Sequence, residues 1–329
     1  MELCIIGSRG HQSYVLDGLK DISDVKITGI STGTEDDCVE EMKHIFGEWA
    51  QDAEVFSDYY SMLDTLRPDV VSIAGPLEKH SQMCIDAFEL GIHVFCEKPV
   101  STNLRELGKL KNAFAGADVH FASMMGMRFD PAFYTARYSV MDGVIGKVRL
   151  INAQKSYKLG HRPKYYSKRE TYGGTIPWVG SHAIDWVHWF SGESFQTVYA
   201  THSSKHNCGL GELEMSALCL FSLTNEIFAS VSMDYFRPDS ASTHGDDRIR
   251  IVGTRGIIEV NEGKVFLINK DTKGRIGLKV ECDRQIFSDF IEHINGNSVS
   301  LIAAEDTFTV TEACLLARQS ADEGRVISF

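Results

Sequence analysis

The sequence predicts an α/β protein of two domains. Residues 1–122 read as a doubly wound domain on a parallel sheet, and residues 123–329 as an α+β domain on a large, mostly antiparallel open sheet. Three observations carry this. Up to about residue 123, short apolar runs alternate with amphipathic stretches, the pattern of repeated β-α units with right-handed crossovers. Beyond it, strand-like runs follow one another through short turns with few helices between them. A chain of 329 residues also exceeds what one hydrophobic core usually organises.

Taken in order, residues 3–6 are an apolar run that stops at Gly7, and a helix carrying Tyr14, Val15, Leu16 and Leu19 follows. Residues 25–30 form the second strand and 38–49 the second helix. Residues 70–74, after Arg67-Pro68-Asp69, are a buried strand broken by Gly75-Pro76. Residues 80–90 are an amphipathic helix with Gly91 placed as its stop. A strand at 93–96, a helix at 104–114 and a strand at 119–123 complete the first domain. In the second, the runs 148–156, 198–203, 214–222, 227–235, 248–252, 256–260 and 264–268 are strands, and a helix over 304–323 ends at Gly324. The boundary is a change of rhythm with no flexible linker, and there is no internal repeat.

Composition excludes several classes. A net charge of −12 argues against nucleic acid or an anionic membrane as partner, since both require a basic footprint. No apolar stretch approaches the roughly 20 residues of a membrane helix. The amino terminus runs directly into a strand and leaves no room for a signal peptide, so a cytoplasmic protein is expected. The eight cysteines are scattered, without a Cys-x-x-Cys pair or histidines at zinc spacing, which fits reduced thiols. No metal site is expected, because His182, Asp185 and His188 do not share one helix face.

Two segments carry chemistry. Gly7-Ser8-Arg9-Gly10-His11-Gln12 follows the first strand and opens a helix, where backbone amides can meet a pyrophosphate. In a Gly-x-Gly-x-x-Gly frame, Arg9 and Gln12 stand at the second and third glycines, and Gly10 is left to supply the flexible backbone. Ser31 and Thr32 stand where an acid for an adenosine ribose belongs, and with Arg9 nearby they lean towards a 2′-phosphate, hence NADP over NAD. The second segment is the strand end Glu97-Lys98-Pro99. Ligands bind at the carboxyl ends of strands in open α/β sheets, so Lys98 is expected at a crevice, on a corner stiffened by Pro99.

Together these pieces resemble the Gfo/Idh/MocA family of nicotinamide-dependent oxidoreductases. The resemblance rests on Val70-Val71-Ser72-Ile73-Ala74-Gly75-Pro76 with His80, on Gly91-Ile92-His93-Val94-Phe95-Cys96-Glu97-Lys98-Pro99, and on Arg128-Phe129-Asp130-Pro131. It continues through Gly173-Gly174, Gly180-Ser181-His182 with Asp185, Ile251-Val252-Gly253-Thr254-Arg255-Gly256 and Ala303-Ala304-Glu305-Asp306. It implies a Rossmann domain for NAD(P), a carboxy-terminal substrate-binding and oligomerisation domain, and a homodimer or homotetramer. It also implies a small-molecule substrate: a sugar, polyol or sugar acid whose secondary alcohol or ketone exchanges a hydride with the nicotinamide. By this resemblance Lys98 and His182 are the catalytic acid–base pair, with Asp185 three residues on as the group that orients the imidazole. Gly7, Arg9, Gly10, His11, Gln12, Ser31, Thr32, Ala74, Pro76, His80, Glu97 and Lys98 line the cofactor. Lys98, Arg128, Tyr166, Trp178, His182 and Asp185 line the substrate.

The chain departs from the family at Trp178, four residues before His182, where polyol dehydrogenases usually carry an aspartate. An indole there suits stacking on a sugar face, proton chemistry by His182 and Lys98 alone, or reduction of a planar C=N or C=C bond. It also suits a sensor that binds NAD(P) or sugar without turnover. Residues 155–169 hold six Lys or Arg and no acid, which predicts a loop that attracts an anionic substrate or the cofactor phosphates.

Overall fold

The computed structural model describes residues 1–34 and 38–329. The first stretch of chain runs β1 (Glu2–Ile6), α1 (Ser13–Leu19), β2 (Lys26–Ser31), α2 (Val39–Phe46), β3 (Glu54–Phe56), α3 (Tyr59–Leu66), β4 (Val70–Ile73), α4 (His80–Glu89), β5 (His93–Cys96), α5 (Leu104–Ala115) and β6 (Phe121–Ser123). The six strands are parallel in the order β3-β2-β1-β4-β5-β6, so the strand order reverses between β1 and β4. The strands β1, β4, β5 and β6 are buried along nearly their whole length, as expected of a sheet covered on both faces, whereas the edge strand β3 is not.

The next stretch is α6 (Pro131–Met141), β7 (Val148–Tyr157), α7 (Arg169–Tyr172), α8 (Ser181–Ser191), β8 (Phe195–Ser203), β9 (Ser216–Leu223), β10 (Ile227–Asp234), β11 (Gly245–Gly253), β12 (Gly256–Asn261), β13 (Lys264–Asn269) and β14 (Ile276–Leu278). The chain ends with α9 (Ile286–Ile294), α10 (Ala304–Glu323) and β15 (Ile327–Ser328). The second sheet has nine strands, β14-β13-β12-β11-β7-β10-β9-β8-β15, antiparallel except for the β7–β10 pair. α8 packs on the face of β7 and β10 that carries Ile151, Ala153, Val231 and Met233. The alternate residues Leu150, Leu218, Leu220 and Phe228 stay exposed on the other face.

The chain divides into two compact units, and the division differs from a single boundary at residue 123. One unit is Met1–Gly126 with Arg284–Thr311, and the other is Met127–Asp283 with Glu312–Phe329. The return of α9 to the first unit has a packing reason. Gly18 on α1 has no side chain, and a Cβ there would lie 2.8 Å from the Cβ of Phe287. Phe287 and Phe290 then meet Phe95 of β5, with ring centroids 5.4 and 5.5 Å apart.

Several elements differ from the sequence reading. The helix expected over 38–49 ends at Phe46, because Gly47 turns to φ 51°, and a short 3₁₀ turn follows. β3, α3 and α6 were not foreseen, although Asp58 and Asp130 cap α3 and α6 by accepting from Ser61 N and Ala132 N. Pro131 stands at the first helical position of α6. α8 is entered without a break from one π turn, Ile176–Gly180. Among the described residues no helix is long and apolar enough to cross a membrane.

β5, which leads into Lys98, rests on α9, so a cavity there should be felt in the whole first unit. Phe290→Ala is expected to cost about 3–5 kcal/mol, read as a lower urea midpoint of that unit's unfolding transition; an unchanged midpoint would show that α9 is an accessory element.

Candidate active site

In the first unit the strand order reverses between β1 and β4, and the loops that follow these two strands meet there. Gly7, with φ 75°, donates its N–H to Ser31 O at 2.8 Å, and a Cβ on it would strike the Ala74 carbonyl. Arg9 donates its N–H to Ala74 O at 2.8 Å. Gly10 takes φ 80°, and a Cβ there would run into the Glu97 carboxylate. The close packing therefore falls to Gly7 and Gly10, and the bulkier loop residues are placed around them. Gln12 fills the place of the third fingerprint glycine from inside: 2% exposed, it donates Nε2–H to Gly7 O at 3.0 Å and accepts from Ser72 Oγ at 2.9 Å.

Glu97 has no exposure, and its carboxylate accepts three hydrogen bonds. His11 N–H gives one at 2.6 Å, His11 Nδ1 one at 2.7 Å to the same oxygen, and Lys98 N–H one at 2.9 Å to the other. Burial by itself would raise the Glu97 pKa, but the opposing pull of His11 and Lys98 leaves it below the usual carboxylate range. Lys98 follows at 4% exposure on a cis Lys98–Pro99 bond. His80, expected to line the cofactor, is completely buried with its ring nitrogens 3.1 Å from Gly75 O and 3.0 Å from Pro99 O. Its side chain braces the turns that contain Pro76 and Pro99. Burial holds its pKa below the usual imidazole range.

Two further features bear on a dinucleotide. At the end of β2 the Ser31 hydroxyl is buried without a hydrogen-bond partner, beside Thr32, whose hydroxyl donates to Thr34 O at 2.7 Å. An orphaned hydroxyl at this strand end, with glycines that let the β1–α1 loop close on β4, suits the residues to a nicotinamide dinucleotide.

In the second unit the π turn supplies Trp178 and α8 supplies His182. π turns of this kind concentrate at functional sites, because one extra residue per turn re-aims the side chains. Pro177 lies in the turn, Trp178 N–H reaches Gly174 O at 3.1 Å, and a Cβ on Gly180 would lie 2.5 Å from Met233 Sδ, too close for any side chain there. Trp178 is 8% exposed and His182 2%. Tyr166 meets the Trp178 ring edge-on at 5.9 Å. Asp185, expected to orient the imidazole, has both oxygens bound to Arg128: Nε at 3.1 and 3.0 Å and Nη2 at 2.6 Å. Both residues are 1% exposed, so this buried ion pair is a fixed strut between α8 and the turn before α6.

The basic stretch is less free than its composition suggests. Lys155 is buried, donating to Asp247 Oδ2 at 2.6 Å, and Lys158 Nζ donates to Asp239 O at 2.8 Å. Arg169 pairs with Glu214 and Asp322. The sequence reading also missed a buried hydroxyl chain. Tyr172 OH lies 2.9 Å from Tyr235 OH and 3.0 Å from Thr175 Oγ1, which donates to Glu214 O at 2.6 Å. The period-two run Val231, Met233, Tyr235 already pointed Tyr235 inward.

Comparison with known proteins follows the same division. Residues 2–124 match the oxidoreductase family described as having an NAD-binding Rossmann fold, and residues 133–259 match the GFO/IDH/MocA C-terminal domain. A solved structure described as "Structure of putative oxidoreductase from Thermotoga maritima" is 44% identical, with a TM-score of 0.95 and all of both chains covered. The myo-inositol 2-dehydrogenase of Thermotoga maritima is 24% identical over 100% of this chain and 98% of its own. The uncharacterized oxidoreductase YrbE of Bacillus subtilis is 28% identical over 68% of this chain and 65% of its own. A levoglucosan dehydrogenase, solved with NADH and levoglucosan, shares the fold at a TM-score of 0.84 and 18% identity. The chain belongs to the Gfo/Idh/MocA family of oxidoreductases, with an NAD-binding Rossmann domain at its amino-terminal end.

Proposed function

We propose that this protein is an NAD(P)-dependent dehydrogenase that interconverts a secondary alcohol and its ketone in a sugar-like or polyol substrate. The observation that carries this is Lys98: an amine 4% exposed at the carboxyl end of β5, on a corner tied by Glu97 to the glycine loop. The names of the relatives agree with the substrate class, inositol in one and a D-glucoside in another. A bound nicotinamide supplies the hydride acceptor or donor. The proton must then move between the carbinol oxygen and a side chain, and Lys98 is the group for that task, with His182 as the second acid–base residue. Trp178 presents an aromatic surface where family polyol dehydrogenases carry a carboxylate, suiting the C–H face of a sugar ring. Tyr166 packs against that indole. The Arg128–Asp185 pair acts as a positioning element that holds the start of α8, and with it His182, in place.

The buried, partnerless hydroxyl of Ser31, with Thr32 and Arg9 on neighbouring loops, supports a preference for NADP. The exposed face of the nine-stranded sheet supports a homo-oligomer. Leu220 lies opposite Tyr199, and Phe228 opposite Leu150, all between 38 and 54% exposed on adjoining strands. Such a contiguous apolar patch on a soluble surface marks an interface.

Lys98→Met is expected to cut turnover of a polyol by about 10²–10⁴-fold while the fluorescence-titrated Kd for the reduced cofactor stays close to wild type; undiminished turnover would remove Lys98 from the chemistry. Arg9→Ala should weaken NADPH about tenfold and leave NADH nearly unchanged in the same titration. Equal losses for both cofactors would mean that Arg9 does not read the 2′-phosphate. Replacing Phe228 and Leu220 by Asp should shift the sedimentation coefficient to that of a monomer, and a wild type that sediments as a monomer would disprove the oligomer.

A further inference from the structure

We propose that Arg162 is an anion anchor, so that the substrate carries an oxyanion, a carboxylate or a phosphate, at one end of its polyhydroxylated chain. This rests on the dehydrogenase reading above and names the substrate class of that site.

The argument begins with what the neighbouring cations do. Of the six between 155 and 169, Lys155 and Arg169 are matched by carboxylates, and Lys158 is matched by a carbonyl. Lys164 and Lys168 are exposed. Arg162 is different in kind. It is half-buried, yet among the described residues no carboxylate lies within ion-pairing distance of it. Its Nη2 makes one long hydrogen bond to Lys158 O at 3.3 Å, and its Nε is buried with no hydrogen-bond partner. A guanidinium held in this way in a protein of net charge −12 is an unmatched donor and an unmatched charge.

It is also held still. The guanidinium carbon lies 4.7 Å from the centre of the Tyr235 ring and 5.3 Å from that of Tyr166, within cation–π range of both. Tyr235 is itself pinned, and the hydrogens in its chain can be assigned by exclusion. A carbonyl cannot donate, so the Thr175 hydroxyl gives its one hydrogen to Glu214 O. Thr175 Oγ1 therefore accepts from Tyr172, and Tyr172 in turn accepts from Tyr235. The Tyr235 hydrogen is spent inward, which leaves its oxygen with lone pairs alone. Arg162 thus offers charge and donors from a position fixed over two rings, the complement of an oxyanion. Tyr166, the second ring under Arg162, touches Trp178, four residues before His182. Burial, with Arg162 and Lys158 beside it, also holds His244 below the usual imidazole range, so the surroundings of Arg162 are electropositive.

Three compounds with the same carbon chain separate the possibilities: D-glucitol, D-gluconate and D-glucitol 6-phosphate. Binding to the whole chain is measured by calorimetry, and turnover with NAD and NADP is measured in parallel, for wild type, Arg162→Gln and Arg162→Lys. At least one anion is expected to bind wild type about tenfold more tightly than glucitol. Arg162→Gln should abolish that preference and Arg162→Lys keep part of it, with glucitol binding the same in all three. The preferred anion tells carboxylate from phosphate. Equal affinity for all three compounds in wild type, including no binding of any, overturns the proposal, as does a preference that survives in Arg162→Gln. An Arg162-dependent preference without turnover would uphold the anchor and sink the dehydrogenase reading; turnover of glucitol without any preference would do the reverse.

Discussion

A carboxylate with no solvent exposure stays ionised only if donors surround it, and Glu97 obtains its donors from two different loops. Two come from His11, just after the first glycine turn, and one from Lys98, the residue that follows it. The need to satisfy one buried charge therefore fixes the spacing between the β1–α1 loop and the end of β5. It also explains the damaged glycine fingerprint. Gly10 is required because the carboxylate occupies the space a side chain would take, and Gln12 is tolerated because its amide is satisfied by Gly7 O and Ser72. What looks like a degraded phosphate loop is a loop braced from within. Its geometry is set by side chains where the ordinary fingerprint relies on bare backbone.

The second unit solves a comparable problem with an ion pair and a π turn. Asp185 and Arg128 are buried together, and the pair is tolerable because the guanidinium meets both carboxylate oxygens. That strut holds α8 from one side while the inner face of β7 and β10 supports it from below. Upstream, the extra residue of the π turn changes the phase of the helix between Trp178 and His182. A sequence reading in ordinary α-helical phase cannot see this, because it places both residues by a rotation that the π turn does not follow.

Much of the first unit was legible. Continuous Val and Ile runs bounded by Gly and Pro mark buried parallel strands joined by right-handed crossovers, while the order of those strands came only with the structure. Lys98 stands out in the sequence because it closely follows the end of such a strand. Elements such as β3, whose three residues are largely exposed, carry too little apolar signal to be seen. α6 could have been found from Asp130-Pro131, a helix cap followed by a residue suited to the first turn. The Arg128 partner of Asp185 was not legible, because Arg128 lies 57 residues away in sequence and is brought to Asp185 only by the fold.

The sequence by itself determined the two sheet types and the family, because these follow from local periodicity and from motifs in a fixed order. Only the tertiary structure decided which charges are already spent. Lys155, Arg169 and Asp185 are matched by partners remote in sequence, and Arg162 is not. Pairing of charges depends on distances of a few ångströms between distant segments. A local pattern has no means of encoding that; a packed interior, where each buried polar group must find its partner, enforces it.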